Sequence, residues 1–155
     1  MGAIDAIRSE ARATLYEVLV CMAWADRKIA PDEREAIKAA AITLGLVTPR
    51  DDVLDALERG AVPLEELPFE WLTQREKELT YLCASWMVLA DGEAALDETM
   101  LLEKMRTMLK VDERRAAWLR QRALSMRTQT PPSTSWWREF DTLVVDAARA
   151  LDSPS

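Results

Sequence analysis

Four acids stand in two matched pairs, Asp26 with Glu33 and Asp91 with Glu98. Each pair is spaced D-x6-E between two apolar runs. Carboxylates so placed can cap helix ends. An aspartate in a turn accepts from backbone N–H groups two or three residues on, and a glutamate in a first helical turn suits the positive end of the helix dipole. They can also converge and offer oxygens to a hard divalent cation such as Ca²⁺, Mg²⁺ or Mn²⁺. The residues alone leave both readings open. An EF-hand is excluded. With Glu98 as the last ligand of its loop, the first and third ligand positions fall on Met87 and Leu89, and on Met22 and Trp24 in the first pair. None of these side chains binds calcium.

Residue types remove other chemistries. The chain has no histidine and no asparagine, so no Ser-His-Asp, Cys-His or HExxH site exists. Its four glycines form no phosphate loop. The chain is therefore expected not to be an enzyme and to take no small-molecule substrate. Cys21 and Cys83 sit in apolar helical runs with no CxxC spacing, and read as buried free thiols. A reducing cytoplasm is the compartment they suggest. The opening residues MGAIDAIRSEAR lack the basic and apolar regions of a signal peptide. No apolar run reaches the 18 residues that a membrane span needs.

Several elements must position the acids. Apolar residues step by three and four from Ile4 to Ala25, one face of a helix over about 3–26. Pro31 opens a second helix, with Ile37, Ala40, Ala41 and Leu44 inward and Gly45 to stop it. A short third helix fits Pro49 to Glu58. A proline-containing connector, AVPLEELPFE, follows with room for one helical turn. A long helix is expected from Phe69 to Ala90, and further helices over 96–109 and 112–126, the last capped by Asp112. The stretch RTQTPPST is a linker, and a short amphipathic helix comes after it.

No segment alternates with period two, so the fold class is all-α. Segments 16–46 and 81–111 align without a gap at an offset of 65 residues. Tyr16 meets Tyr81, Asp26 meets Asp91, Glu33 meets Glu98, and Ile37 meets Leu102. The expected architecture is a bundle of about seven helices, built from two pseudo-symmetric helical hairpins, plus the C-terminal amphipathic helix. Residues 1–128 form the helical domain, and 129–155 the linker and terminal helix.

The pattern of an apolar run, Ala-Asp-Gly, four further residues and (Asp)Glu, with a helix on each side and a Leu-Gly-Leu type ending, occurs twice, with Arg27 in place of the glycine in the first copy. It resembles the TerB-like family. This is the type found in tellurite-resistance protein B and in the N-terminal domain of a DnaJ-like co-chaperone. The resemblance covers roughly residues 3–126. It implies an all-helical, two-half fold and a non-catalytic module of a bacterial stress, tellurite-resistance or defence system that binds a protein partner. Carried over by position, Asp26, Glu33, Asp91 and Glu98 are its junction acids and its possible metal ligands. Arg27 and Lys28 oppose a cation at the first junction, so the second is the expected site. The alternative function is a divalent-cation-binding regulator, and a metal-assisted hydrolase is the third.

Charge is uneven along the chain. Residues 51–98 carry 13 acids and 3 bases, and residues 103–127 carry 8 bases and 3 acids. With a net charge of −7, the basic stretch reads as a solvated helix face rather than a nucleic-acid interface. Trp24, Trp86 and Trp118 fall on helical faces expected in the core. Trp136, Trp137, Phe140, Leu143 and Val144 form the apolar face of the terminal helix, with Glu139, Asp141 and Asp146 on its polar face. That apolar face either closes on its own bundle or docks on another protein, a second copy of the chain included.

Overall fold

The computed structural model describes residues 9–23, 31–43, 64–88, 96–129 and 136–152. The expected short helix at 49–58 lies outside them. Regular structure among the described residues is helical throughout: α1 (Ser9–Ala23), α2 (Pro31–Thr43), α3 (Gln74–Val88), α4 (Leu96–Met108), α5 (Glu113–Gln129) and α6 (Trp136–Asp152). Two 3-10 turns, Leu64–Glu66 and Phe69–Trp71, precede α3.

α3 is the axis of the bundle. Glu76 and every residue from Glu78 to Val88 are buried, so this helix is covered on all sides, which requires neighbours all round. Those neighbours are α1, α4, α5 and α6. Its buried hydroxyls are satisfied within the helix: Thr80 donates to the Glu76 carbonyl at 2.7 Å, and Ser85 to that of Tyr81 at 3.0 Å. Leu15, Val18, Leu19 and Met22 of α1 join Leu79, Leu82 and Trp86 of α3 in the core, with Ile37 and Ala40 of α2.

α3 begins five residues later than the periodicity suggests, because a capping box intervenes. The Glu76 amide donates to Thr73 Oγ1 at 3.1 Å, and the Thr73 amide donates to Glu76 Oε1 at 3.0 Å. This reciprocal pair satisfies two orphan donors and fixes the first turn at Gln74. Phe69, expected inside the helix, sits buried on the preceding 3-10 turn.

The bounds of α3 and α4 each fall 65 residues after those of α1 and α2. Burial shares the offset at some positions and not at others: Ala36, Ala39 and Ala41 are buried, but their counterparts Leu101, Lys104 and Arg106 are not. Leu15, Val18, Leu19, Cys21 and Met22 are buried, and so are Thr80, Cys83, Ala84, Trp86 and Met87. Ile37 and Ala40 correspond likewise to Leu102 and Met105.

α4 ends in a Schellman turn. The Val111 amide donates to the Arg106 carbonyl and the Lys110 amide to that of Thr107, both at 3.1 Å. The turn places Lys110 at φ 57°, in the left-handed region that favours glycine. The aligned position in the first segment is Gly45. Lys110→Gly is therefore expected to stabilise the fold by about 0.5–1 kcal/mol, the relief of the Cβ clash less the added freedom of the unfolded chain. Urea denaturation of the two proteins checks it, and an unchanged or lower midpoint counts against the strain. Asp112 then caps α5 as the sequence suggests, its Oδ1 accepting from the amides of Arg114 at 2.8 Å and Arg115 at 3.3 Å.

Candidate functional site

The four junction acids divide between described and undescribed residues. Glu33 and Glu98 take the third positions of α2 and α4, equivalent places in two helix first turns. Asp26 and Asp91 lie outside the described residues. Among the described residues, no group of three or more cysteine, aspartate or glutamate side chains is placed to hold a metal ion.

The terminal helix has a definite place. Trp136 and Trp137 open α6, which packs on α2, α3 and α5. Phe140, Leu143, Val144 and Ala147 belong to the main core. The docking role open to Phe140, Leu143 and Val144 is thus taken by the chain's own bundle, because these side chains have no surface left to offer a partner. Phe140 meets Trp86 with ring centroids 5.3 Å apart and planes tilted at 52°. Glu139 corrects the sequence reading. Expected on the polar face, it is only 4% exposed. Its Oε2 accepts from Trp86 Nε1 at 2.5 Å, a buried bond between helices far apart in sequence.

Cys21 and Cys83 are free and buried. Burial, reinforced by the nearby charges of Glu17 and Glu65, pushes the Cys21 thiol up to about 11, and burial alone raises that of Cys83. A thiol so raised is neutral at physiological pH and a poor nucleophile. The folded Cys21 keeps its proton to about pH 11, whereas the unfolded chain releases it near 9.0. Its contribution to stability is therefore full below pH 9 and is lost as pH rises from there toward 11. The stability difference between wild type and Cys21→Ala, from urea melts, is expected to stay constant up to pH 9 and then shift against wild type. A flat difference through pH 10.5 counts against the burial argument.

Two surfaces carry exposed chemistry. The first lies along α5. Trp118, expected in the core, is only partly buried there, because its ring is flanked by guanidinium groups one turn away on each side. Arg115 Cζ lies 5.3 Å and Arg122 Cζ 4.7 Å from the ring centroid. Both arginines are also tied to neighbouring helices, Arg115 to Glu78 of α3 at 3.6 Å and Arg122 to Asp146 of α6 at 2.7 Å. Arg120 donates to the hydroxyl of buried Tyr81 at 2.7 Å. Arg106 of α4 grips both carboxylate oxygens of Glu103, which holds that carboxyl below its ordinary value. Outward from this network, Arg114, Ala117, Arg120, Gln121 and Leu124 are exposed, Leu124 by 41%.

The second surface is the segment of the two 3-10 turns. Leu67, Phe69 and Leu72 anchor it in the core, which turns Glu65, Glu66, Glu70 and Trp71 outward. Trp71 is 74% exposed. Glu65 pairs with Lys104 of α4, and that hydrogen bond holds its carboxyl low. Sequence reasoning did not single out Trp71. The available signal was its place between Phe69 and Leu72, which compete for the core.

Comparison with protein-family models, curated proteins and solved structures finds no match to this chain. No helix among the described residues is long and apolar enough to cross a membrane.

Proposed function

We propose that this chain is a non-catalytic, TerB-like interaction module that binds a protein partner in a bacterial stress, tellurite-resistance or defence system, and that it works in the cytoplasm. The observation that carries the reading is the 65-residue correspondence of α1 and α2 with α3 and α4 in helix bounds. Such a correspondence supports two pseudo-symmetric hairpins sharing one core. The neutral, buried thiols and the absence of histidine from the chain support a binding rather than a chemical role. Affinity capture with the tagged full chain, before and after tellurite exposure, tests it. One protein recovered reproducibly in stoichiometric amount is the expected result. Recovery of the chain alone under both conditions overturns it.

A second reading is a divalent-cation regulator using Asp26, Glu33, Asp91 and Glu98. It is favoured by the equivalent first-turn positions of Glu33 and Glu98. Calorimetric titration of metal-stripped protein with Ca²⁺, Mg²⁺ and Mn²⁺ tests it. Saturable heat that is lost in Asp91→Ala/Glu98→Ala supports the regulator. Silence from all three ions leaves these acids as helix caps.

A further inference from the structure

α6 meets the bundle with a stripe that repeats. Phe140, Val144 and Ala148 recur every fourth residue, as do Leu143, Ala147 and Leu151, and all of these but half-buried Leu151 are buried. Sliding α6 by four residues, about 6 Å along its axis, therefore lays the stripe back on itself. Val144 then takes the place of Phe140, and Ala147 that of Leu143. Six residues separate α5 from α6 in sequence, and they reach roughly 20 Å when extended, so the connection permits such a shift. Apolar packing tells the two positions apart by side-chain size. Cores absorb much of a change in size by repacking, and they lose uniqueness before they lose stability.

One contact does not repeat. Glu139 is the only polar residue of α6 that is buried among the described residues, and its Oε2 accepts from the indole N–H of fully buried Trp86 at 2.5 Å. Shifted one turn in one direction, α6 brings Leu143 to that place, and the indole loses this acceptor. Shifted the other way, α6 carries Glu139 into the buried place of Leu143. In both cases a buried polar group forfeits its bond, a cost that repacking does not recover. The ion pair of Arg122 with Asp146 also belongs to one position, but its acid is half exposed, and such pairs discriminate weakly.

We propose that the bond between Glu139 and Trp86 is a register lock, which confines α6 to one docking position on α2 and α3. The apolar stripe holds the helix to the bundle, and the buried acid with its donor selects where along the groove it sits. Fixing register is the best-attested use of a polar pair inside an apolar interface. The inference concerns the chain by itself and is independent of any partner it binds.

Nuclear magnetic resonance of the full chain tests the proposal, with thermal melts alongside. Trp86→Phe/Glu139→Met removes donor and acceptor together, which leaves neither half of the bond unpaired. This variant is expected to melt cooperatively, about 5 °C below wild type for the smaller ring. The amide signals of α6 and of the α2 face beneath it are expected to double or broaden, and the ring at position 86 to show contacts with Val144 as well as Phe140. Glu139→Gln keeps an acceptor oxygen and is expected to give the single set of signals of wild type. A double variant with one sharp set, and Phe140 alone against position 86, overturns the proposal, because packing then fixes the register. Loss of the cooperative melt also overturns it, since the bond would then hold the fold rather than choose a position. So does doubling in Glu139→Gln, where the acceptor is retained.

Discussion

Trp86→Ala is expected to lower the unfolding free energy by about 3–5 kcal/mol, the range for deleting a fully buried large aromatic. The side chain is inaccessible to solvent at the centre of α3. It packs on Phe140 of α6 and donates its indole N–H to Glu139 of the same helix. The truncation therefore opens a cavity and also strips a buried carboxylate of its indole donor, which adds a desolvation cost. For a chain of this size the expected fall in Tm is roughly 10 °C. Trp86→Phe separates the two causes, since it retains most of the ring volume but not the N–H. If calorimetry shows Trp86→Phe as stable as wild type, the bond to Glu139 contributes nothing measurable. If Trp86→Ala costs under about 1 kcal/mol, the core assignment itself is wrong.

The second large effect is expected on ending the chain after Gln129. Full burial of Phe140, Leu143 and Val144 is worth roughly 5–9 kcal/mol in apolar transfer. That is comparable with the whole stability of a typical domain, about 5–15 kcal/mol. The truncated protein should keep helical far-ultraviolet dichroism at best, bind hydrophobic dyes and lack a cooperative melt. A sharp melt near that of the full chain would mean that α6 adds little to the core. The result also governs how deletions are read. Loss of a partner on removing α6 would report a damaged bundle before it reported a lost docking helix.

Much of this fold is legible in the sequence, for identifiable reasons. The 3.6-residue period marks the helices, and Asp112 marks the start of α5 because an N-cap is a local signal. The start of α3 was equally local. Thr73 and Glu76 spell a capping box, but the apolar pattern beginning at Phe69 outweighs it in a reading by period alone. The burial of Glu139 was not legible. An acid next to an amphipathic face goes inside only when a donor 53 residues away meets it, and nothing near Glu139 names Trp86. Trp118 erred the other way. Its helical phase resembles that of a core residue, yet Arg115 and Arg122 at three and four residues' distance give its ring a stable place nearer the surface. The candidate sites divide similarly. The arginines of α5 announce themselves by composition, whereas exposed Trp71 depends on which neighbours win the core. The places of Phe140, Leu143 and Val144 followed from amphipathicity only as a choice between two surfaces. Contact of α6 with α2 and α3 settles where they pack.

The pairing of α2 with α6 also bears on how the chain is made. These two helices pack together, yet more than 90 residues separate the end of one from the start of the other. A ribosome adding about 5–20 residues per second completes α2 roughly 5–20 s before its partner exists. During that interval the apolar surface that α6 will cover has no lasting cover of its own. Closing so long a loop is entropically costly and comes late. The chain thus passes through an interval in which one of its apolar helix faces waits for a cover made last, and slower translation would lengthen that interval.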